Sequence, residues 1–197
     1  YQTSYSDIEV NYKQEKGTLW QIAYPLIDQV GEIVVATTRP ETMLGDVAIA
    51  VNPTDERYKH LIGTKAHLPI VDREIPIIAD DYVDKNYGTG AVKITPAHDP
   101  NDFEIGKRHN LKPIQVIGFD GTMINVPQHY MGLDIETARK RVLTDLEIAE
   151  LRRGESEIEH TVGYDYKSGL PIQPMIKDQW FIKVKPLAKR AIEILER

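Results

Sequence analysis

The stretch Glu32-Ile33-Val34-Val35-Ala36-Thr37-Thr38-Arg39-Pro40-Glu41-Thr42-Met43-Leu44-Gly45-Asp46-Val47-Ala48-Ile49-Ala50-Val51 sets the pattern of the chain. Glu32 to Thr37 and Ala48 to Val51 are strand-sized apolar runs, and a proline turn crowded with hydroxyls and charges separates them. Upstream, Ile8 to Tyr12 and Leu19 to Leu26 read as two further strands parted by a turn at Lys16-Gly17, which makes the opening a meander. Downstream, Thr54 is a candidate N-cap for a short helix ending before Gly63, and Ile75 to Ala79 and Ala91 to Thr95 are strands. Asp99-Pro100, with acids in the turn that follows, opens a helix that Asn110 stops. Pro113 to Gly118 is a strand. Apolar residues at spacings of three and four mark a helix over about Asp134 to Arg153, its other face basic through Arg139, Lys140, Arg141, Arg152 and Arg153. A strand at Ile158 to Tyr166, the segment Trp180 to Val184 and an amphipathic helix over Pro186 to Arg197 complete the reading. The class is α+β: a mostly antiparallel, barrel-like sheet with peripheral helices.

Composition narrows the function. The chain has 197 residues, 24 Lys and Arg against 30 Asp and Glu, and no cysteine, giving a net charge of −6. Thiolate and disulfide chemistry are excluded. The acidic balance argues against a protein that coats nucleic acid non-specifically, so any such contact must be local. No apolar run approaches the ~20 residues of a membrane span, and no signal peptide is visible at the first residues. A cysteine-free chain fits a reducing compartment.

Two stretches concentrate chemistry at strand ends: Ala36 to Asp46, and Tyr87-Gly88-Thr89-Gly90-Ala91-Val92-Lys93-Ile94-Thr95-Pro96-Ala97-His98-Asp99-Pro100-Asn101-Asp102-Phe103. In the first, hydroxyls and free N–H groups can converge on an oxygen-rich ligand, or Thr38 or Thr42 can simply cap a helix. In the second, Lys93 and Thr95 alternate along a strand and share a face, with His98, Asp99 and Asp102 following at a helix entrance. An exposed strand lysine and two helix-dipole carboxylates are the plain alternative. The spacing of a P-loop is absent. His60, His67, His109, His129 and His160 show no metal-ligand spacing. A metal-dependent hydrolase would have to use Asp80, Asp81, Asp84, His98, Asp99 and Asp102, and a non-catalytic RNA-binding module is a third possibility.

These two stretches, in this order and separation, resemble the editing domain inserted in class I aminoacyl-tRNA synthetases of the valyl, isoleucyl and leucyl group, over nearly the whole chain. Thr-Thr-Arg-Pro-Glu-Thr-Met-Leu-Gly-Asp and Pro-Ala-His-Asp-Pro-Asn-Asp-Phe look valyl rather than isoleucyl or leucyl. The resemblance implies one editing domain over 1–197, with 1–30 and 155–197 forming the connection to a catalytic core. It implies a cytoplasmic deacylase that hydrolyses the ester of mischarged threonyl-tRNA(Val). Its partners would be the 3′ end of the tRNA, the threonine moiety and the core of the parent synthetase. The synthetase signatures His-Ile-Gly-His and Lys-Met-Ser-Lys-Ser are absent, so ATP binding and tRNA charging are not expected. Relatives often carry zinc-binding cysteines near Gly163 to Gly169; here Tyr164, Asp165, Tyr166 and Lys167 stand instead, so neither metal nor cofactor is expected. By the same resemblance Lys93, Asp99 and Asp102 form the catalytic set, with Asp102 on the α-ammonium. Thr37, Thr38, Arg39, Thr42, Tyr87, Thr95 and His98 bind substrate, Tyr87 by stacking on the terminal adenine.

Overall fold

Residues 9–180 and 182–195 are described by the structure, a computed structural model. Among the described residues there are seven strands: β1 Val10–Pro25, β2 Glu32–Thr37, β3 Ala48–Val51, β4 Lys65–Leu68, β5 Arg73–Ala79, β6 Ala91–Ile94 and β7 Arg152–Asp165. With them go three helices, α1 Pro100–Arg108, α2 Ile135–Ile148 and α3 Val184–Leu195. The strands form two sheets, an antiparallel one ordered β2-β1-β7 and one ordered β4-β5-β3-β6 in which only β3 and β5 run parallel. The class is α+β and mostly antiparallel; the strands remain two sheets and close no barrel.

β3 shows how the sequence builds the centre. Its alternation sends Ile49 and Val51 into the main core and Ala48 and Ala50 into a second cluster with Val83, Ile94 and Ile105 of α1. Small residues on one face let α1 approach closely. Lys93 of β6 is paired with Ile49, so the ladder places the lysine on the face of the main core rather than towards α1.

Several expectations are corrected. The two opening strands are one: β1 runs through Gly17 without a turn, pairing with β7 from Val10 to Ile22. Gly17 serves a close approach, since a Cβ there would lie 2.6 Å from Cε1 of His160 across the ladder. Ile8, part of the first expected strand, lies outside the described residues. Thr54 caps nothing; its N–H and hydroxyl bind the Asn52 side chain, and the helical turn shrinks to Lys59–Leu61. β4 was not expected. Pro113 to Gly118 is irregular apart from an Ile117–Met123 bridge, because the N–H groups of Val116 and Ile117 go to a side chain, His98.

The helix starting after Asp134 ends at Ile148. Glu150 adopts a left-handed φ of 56°, and the Leu151 N–H returns to the Leu146 carbonyl at 2.8 Å, a Schellman closure with glutamate where glycine is usual. Arg152 and Arg153 therefore belong to β7. The basic face is also largely paired: Arg139 with Glu41, Arg152 with Glu147 and Glu155, Arg153 with Glu32. α3 begins at Val184, earlier than expected. Phe181 and the last two residues of the expected terminal helix are outside the described residues.

Candidate active site

β2 ends at Thr37 and feeds a 3₁₀ turn over Pro40–Gly45, which the proline starts and which is wholly buried. β6 ends at Ile94, and Thr95 to Asp99 lead into α1. Between these two strand exits lies a cleft of about 230 Å³. All ten residues singled out above line it: Thr37, Thr38, Arg39, Thr42, Tyr87, Lys93, Thr95, His98, Asp99 and Asp102. A larger hollow of about 680 Å³ beside α2, lined by His129, Lys140, Arg141 and their neighbours, contains none of them.

The cleft floor is a closed polar network. Lys93 Nζ donates to Thr42 Oγ1 at 2.9 Å, to Thr95 Oγ1 at 2.6 Å and to Asp46 Oδ1 at 3.2 Å, which uses all three ammonium protons. Asp46, fully buried, also accepts from Thr95 Oγ1 at 2.6 Å and from the Tyr24 hydroxyl at 2.7 Å. Burial pushes the Asp46 carboxyl up, opposed by the Lys93 charge and the hydroxyl donors, and burial drives the Tyr24 phenol well above its usual range. An isolated carboxylate here would be costly, and Lys93 is its counter-charge. Glu41, also fully buried, takes a bidentate contact from Arg139 at 2.8 and 3.0 Å, which fastens the proline turn to α2.

The walls are held from the other side. Arg39 donates to the His98 carbonyl at 2.8 Å and to Gln173 Oε1 at 2.5 Å, bridging the two motifs to the segment after β7. Thr37 Oγ1 accepts the Arg39 N–H, whereas the Thr38 hydroxyl makes no hydrogen bond among the described residues. His98 is buried, its Nε2 accepting from Val116 at 2.9 Å and its Nδ1 3.4 Å from the Pro174 carbonyl. That arrangement requires the neutral ring, and burial lowers its pKa to about 4. The imidazole thus braces the cleft through backbone and has no nitrogen left for a substrate.

Asp99 is the N-cap of α1, its Oδ1 accepting from Asn101 and Asp102 at 2.8 and 3.0 Å, which leaves Oδ2 unengaged. Asp102, nearly buried, accepts the Thr95 N–H at 2.8 Å. Burial raises its carboxyl to about 7, the Lys93 charge opposing and Asp99 reinforcing. A carboxylate so strained by desolvation is poised to receive a cation. Tyr87 stands half-exposed on the rim. Because Asp99 does structural work, Asp99→Ala should lower stability by about 1 kcal/mol while Asp99→Asn keeps the cap. Urea unfolding of both variants checks this, and equal midpoints would remove the capping role.

Four further residues organise the site: Tyr24, Glu41, Asp46 and Gln173. Asp46 and Glu41 were legible as acids within the hydroxyl-rich proline turn; Tyr24 and Gln173 carry no signal that separates them from ordinary core and loop residues. Among the described residues no group of three His, Asp or Glu side chains is gathered as metal ligands. Asp80 is instead held by Arg108 and His109.

The leucyl-tRNA synthetase editing-domain model matches residues 54–147. Of solved structures, the Agrobacterium radiobacter K84 agnB2 LeuRS in its ternary complex with tRNA and LeuAMS superposes with a TM-score of 0.56 at 19% identity, covering 76% of this chain and 20% of that one. The GlLeuRS-CP1 structure gives 0.57 at 14% identity, covering 68% of this chain and 97% of that domain. Fold, site and these likenesses define one class: the chain belongs to the editing domains of class I aminoacyl-tRNA synthetases. Within that class it is of the valyl type. Valine--tRNA ligase of Geobacillus stearothermophilus is 58% identical over 98% of the chain, and that of Bacillus subtilis 53% over 99%. The chain spans about a fifth (22%) of the length of these relatives.

Proposed function

We propose that this domain hydrolyses the aminoacyl ester of threonyl-tRNA(Val), working in the cytoplasm as part of a valyl-tRNA synthetase. The observation that carries the reading is the meeting of both motifs in one cleft, with a desolvated carboxylate, Asp102, at its wall. A synthesis pocket shaped for valine discriminates against threonine by only about 10², the handicap that a second, hydrolytic site corrects. In this reading Asp102 pairs with the α-ammonium, which a carboxylate suits and which would relieve its own strain. Thr38 and the free oxygen of Asp99 face the ester and its water. Tyr87, exposed on the rim, stacks on the terminal adenine. Arg39, committed to the His98 carbonyl and Gln173, shapes the wall more than it contacts phosphate. Lys93 acts within the floor, where its ammonium holds Thr42, Thr95 and Asp46. The Thr95 hydroxyl gives its proton to Asp46, but its oxygen is tied to the Lys93 ammonium, which damps it as a nucleophile and favours direct attack by water over an acyl-enzyme. The exposed outer half of the β1–β7 ribbon and the segment 155–197 join the domain to the catalytic core.

Release of threonine from mischarged threonyl-tRNA(Val), with valyl-tRNA(Val) as control, tests the proposal in the full-length protein. Preferential threonine release is expected, unchanged by EDTA. Activity lost to the chelator and restored by zinc or magnesium would instead favour the metal-dependent hydrolase.

A further inference from the structure

The floor of the cleft can be assigned a hydrogen-bond polarity by counting its protons. An ammonium can only donate, so Lys93 fixes Thr42 Oγ1 and Thr95 Oγ1 as acceptors at 2.9 and 2.6 Å. Each threonine must then place its own proton elsewhere. Thr42 gives its proton to the Arg39 carbonyl at 3.0 Å, and Thr95 gives its proton to Asp46 at 2.6 Å. Asp46 is held for this purpose by Tyr24, whose hydroxyl donates to its other oxygen. Lys93 has no proton to spare. What the two hydroxyls have left is one lone pair each, at the bottom of a cleft that both residues line; Asp99 and Asp102, once ionised, add acceptors, and the hydroxyl protons of Thr37 and Thr38 stand on the wall at the exit of β2 rather than on the floor.

We propose that buried Asp46 is a positioning residue for specificity: by taking the Thr95 proton and one Lys93 proton it makes the floor an all-acceptor surface, which selects an aminoacyl group by the hydrogen its side chain can donate. The inference rests on the deacylase reading and deepens it. A threonine hydroxyl supplies that hydrogen. A valine methyl does not, and neither does a group that only accepts. Size and polarity alone would make a different rule, under which any small electronegative substituent would pass.

The two rules separate on a probe in which fluorine replaces the hydroxyl. Full-length protein is given tRNA(Val) acylated with threonine, with valine, or with 2-amino-3-fluorobutyrate, and release of each amino acid is timed. Threonyl ester is expected to be hydrolysed about 10- to 100-fold faster than the fluoro ester, which should behave like valyl ester, the size of loss that follows an unmade hydrogen bond in a buried site. Equal rates for threonyl and fluoro esters would overturn the acceptor rule while leaving the deacylase reading intact. Hydrolysis of none of the three would overturn both. The role of Asp46 is read from Asp46→Ala, which frees the Thr95 proton and should collapse the threonyl-to-fluoro ratio, and from Asp46→Asn, whose amide oxygen can still accept and should keep it. A ratio unchanged in folded Asp46→Ala would reduce Asp46 to a packing role; the wild-type comparison decides the acceptor rule even where that variant does not fold.

Discussion

Replacing Asp102 by asparagine is expected to make the protein more stable at pH 8 and nearly inactive as a deacylase. The carboxyl stands at about 7 in the folded chain against an ordinary value of 3.8, raised chiefly by burial. A raised acid favours folding fully below its unfolded pKa and loses that contribution as pH climbs towards the folded one. The stability attached to Asp102 therefore declines from about pH 4 to about pH 7, and at pH 8 the ionised side chain is a net burden on the order of 4 kcal/mol. Asparagine removes the charge and can keep the Thr95 N–H satisfied. Thermal unfolding of variant and parent should then differ at pH 8 and converge near pH 4. In the role proposed for Asp102 at the α-ammonium, the same change removes the counter-charge, a truncation worth about 2–5 kcal/mol between buried partners, or about 30- to 5,000-fold in rate. A variant that deacylates at the parent rate would take Asp102 out of the substrate's reach; one that gains nothing at pH 8 would show the carboxylate to be at ease in its surroundings.

Lys93→Met should be the most destabilising single change in the site, by about 3–5 kcal/mol, because it leaves Asp46 buried without its cation. Asp46 is already raised by burial, and loss of the ammonium raises it further. The penalty should consequently shrink as pH falls and the carboxyl takes up a proton. Adding Asp46→Asn to the variant should restore part of the loss. Urea midpoints at pH 5 and pH 8 for the single and double variants measure all three effects. A lysine reaching into the open cleft would behave otherwise, costing under ~1 kcal/mol with no recovery from the second substitution. A small, pH-independent loss would therefore place the lysine at the substrate.

The contrast marks how far the residues could be read in advance. The two motifs were legible because turn residues, hydroxyls and charges at strand ends are dense and unusual, and they do converge on one cleft. The β3 strand and the α1 cap were legible because their signals are local. What escaped depended on partners distant in the chain. Nothing near Lys93 in sequence announces that its protons go to Thr42 and Asp46, which lie 51 and 47 positions away. His98 looked like a ligand-binding residue, yet a backbone stretch 18 residues on had claimed its acceptor nitrogen. The same stretch failed as a strand for that reason. Gly17 misled in the opposite way: glycine marks turns, and only the ladder register reveals an imidazole pressing against it.

The absence of that turn has a mechanical sequel. β1 carries its pairing with β7 without interruption from an exposed outer half as far as Gln21, at the edge of the buried Ile22-Ala23-Tyr24 segment. At the join sits Leu19, which lines the cleft. Two strands laddered over so long a run form a beam, stiff against bending in the plane of the sheet. A tilt imposed on the outer end is not dissipated at a hinge near Gly17; it travels inward as a displacement of Leu19 against the wall carrying Ala36 and Tyr87. The register shift between Gln21 and Ile22 lies on the inner side of that leucine, so the cleft is on the moving side of the first soft point in the beam.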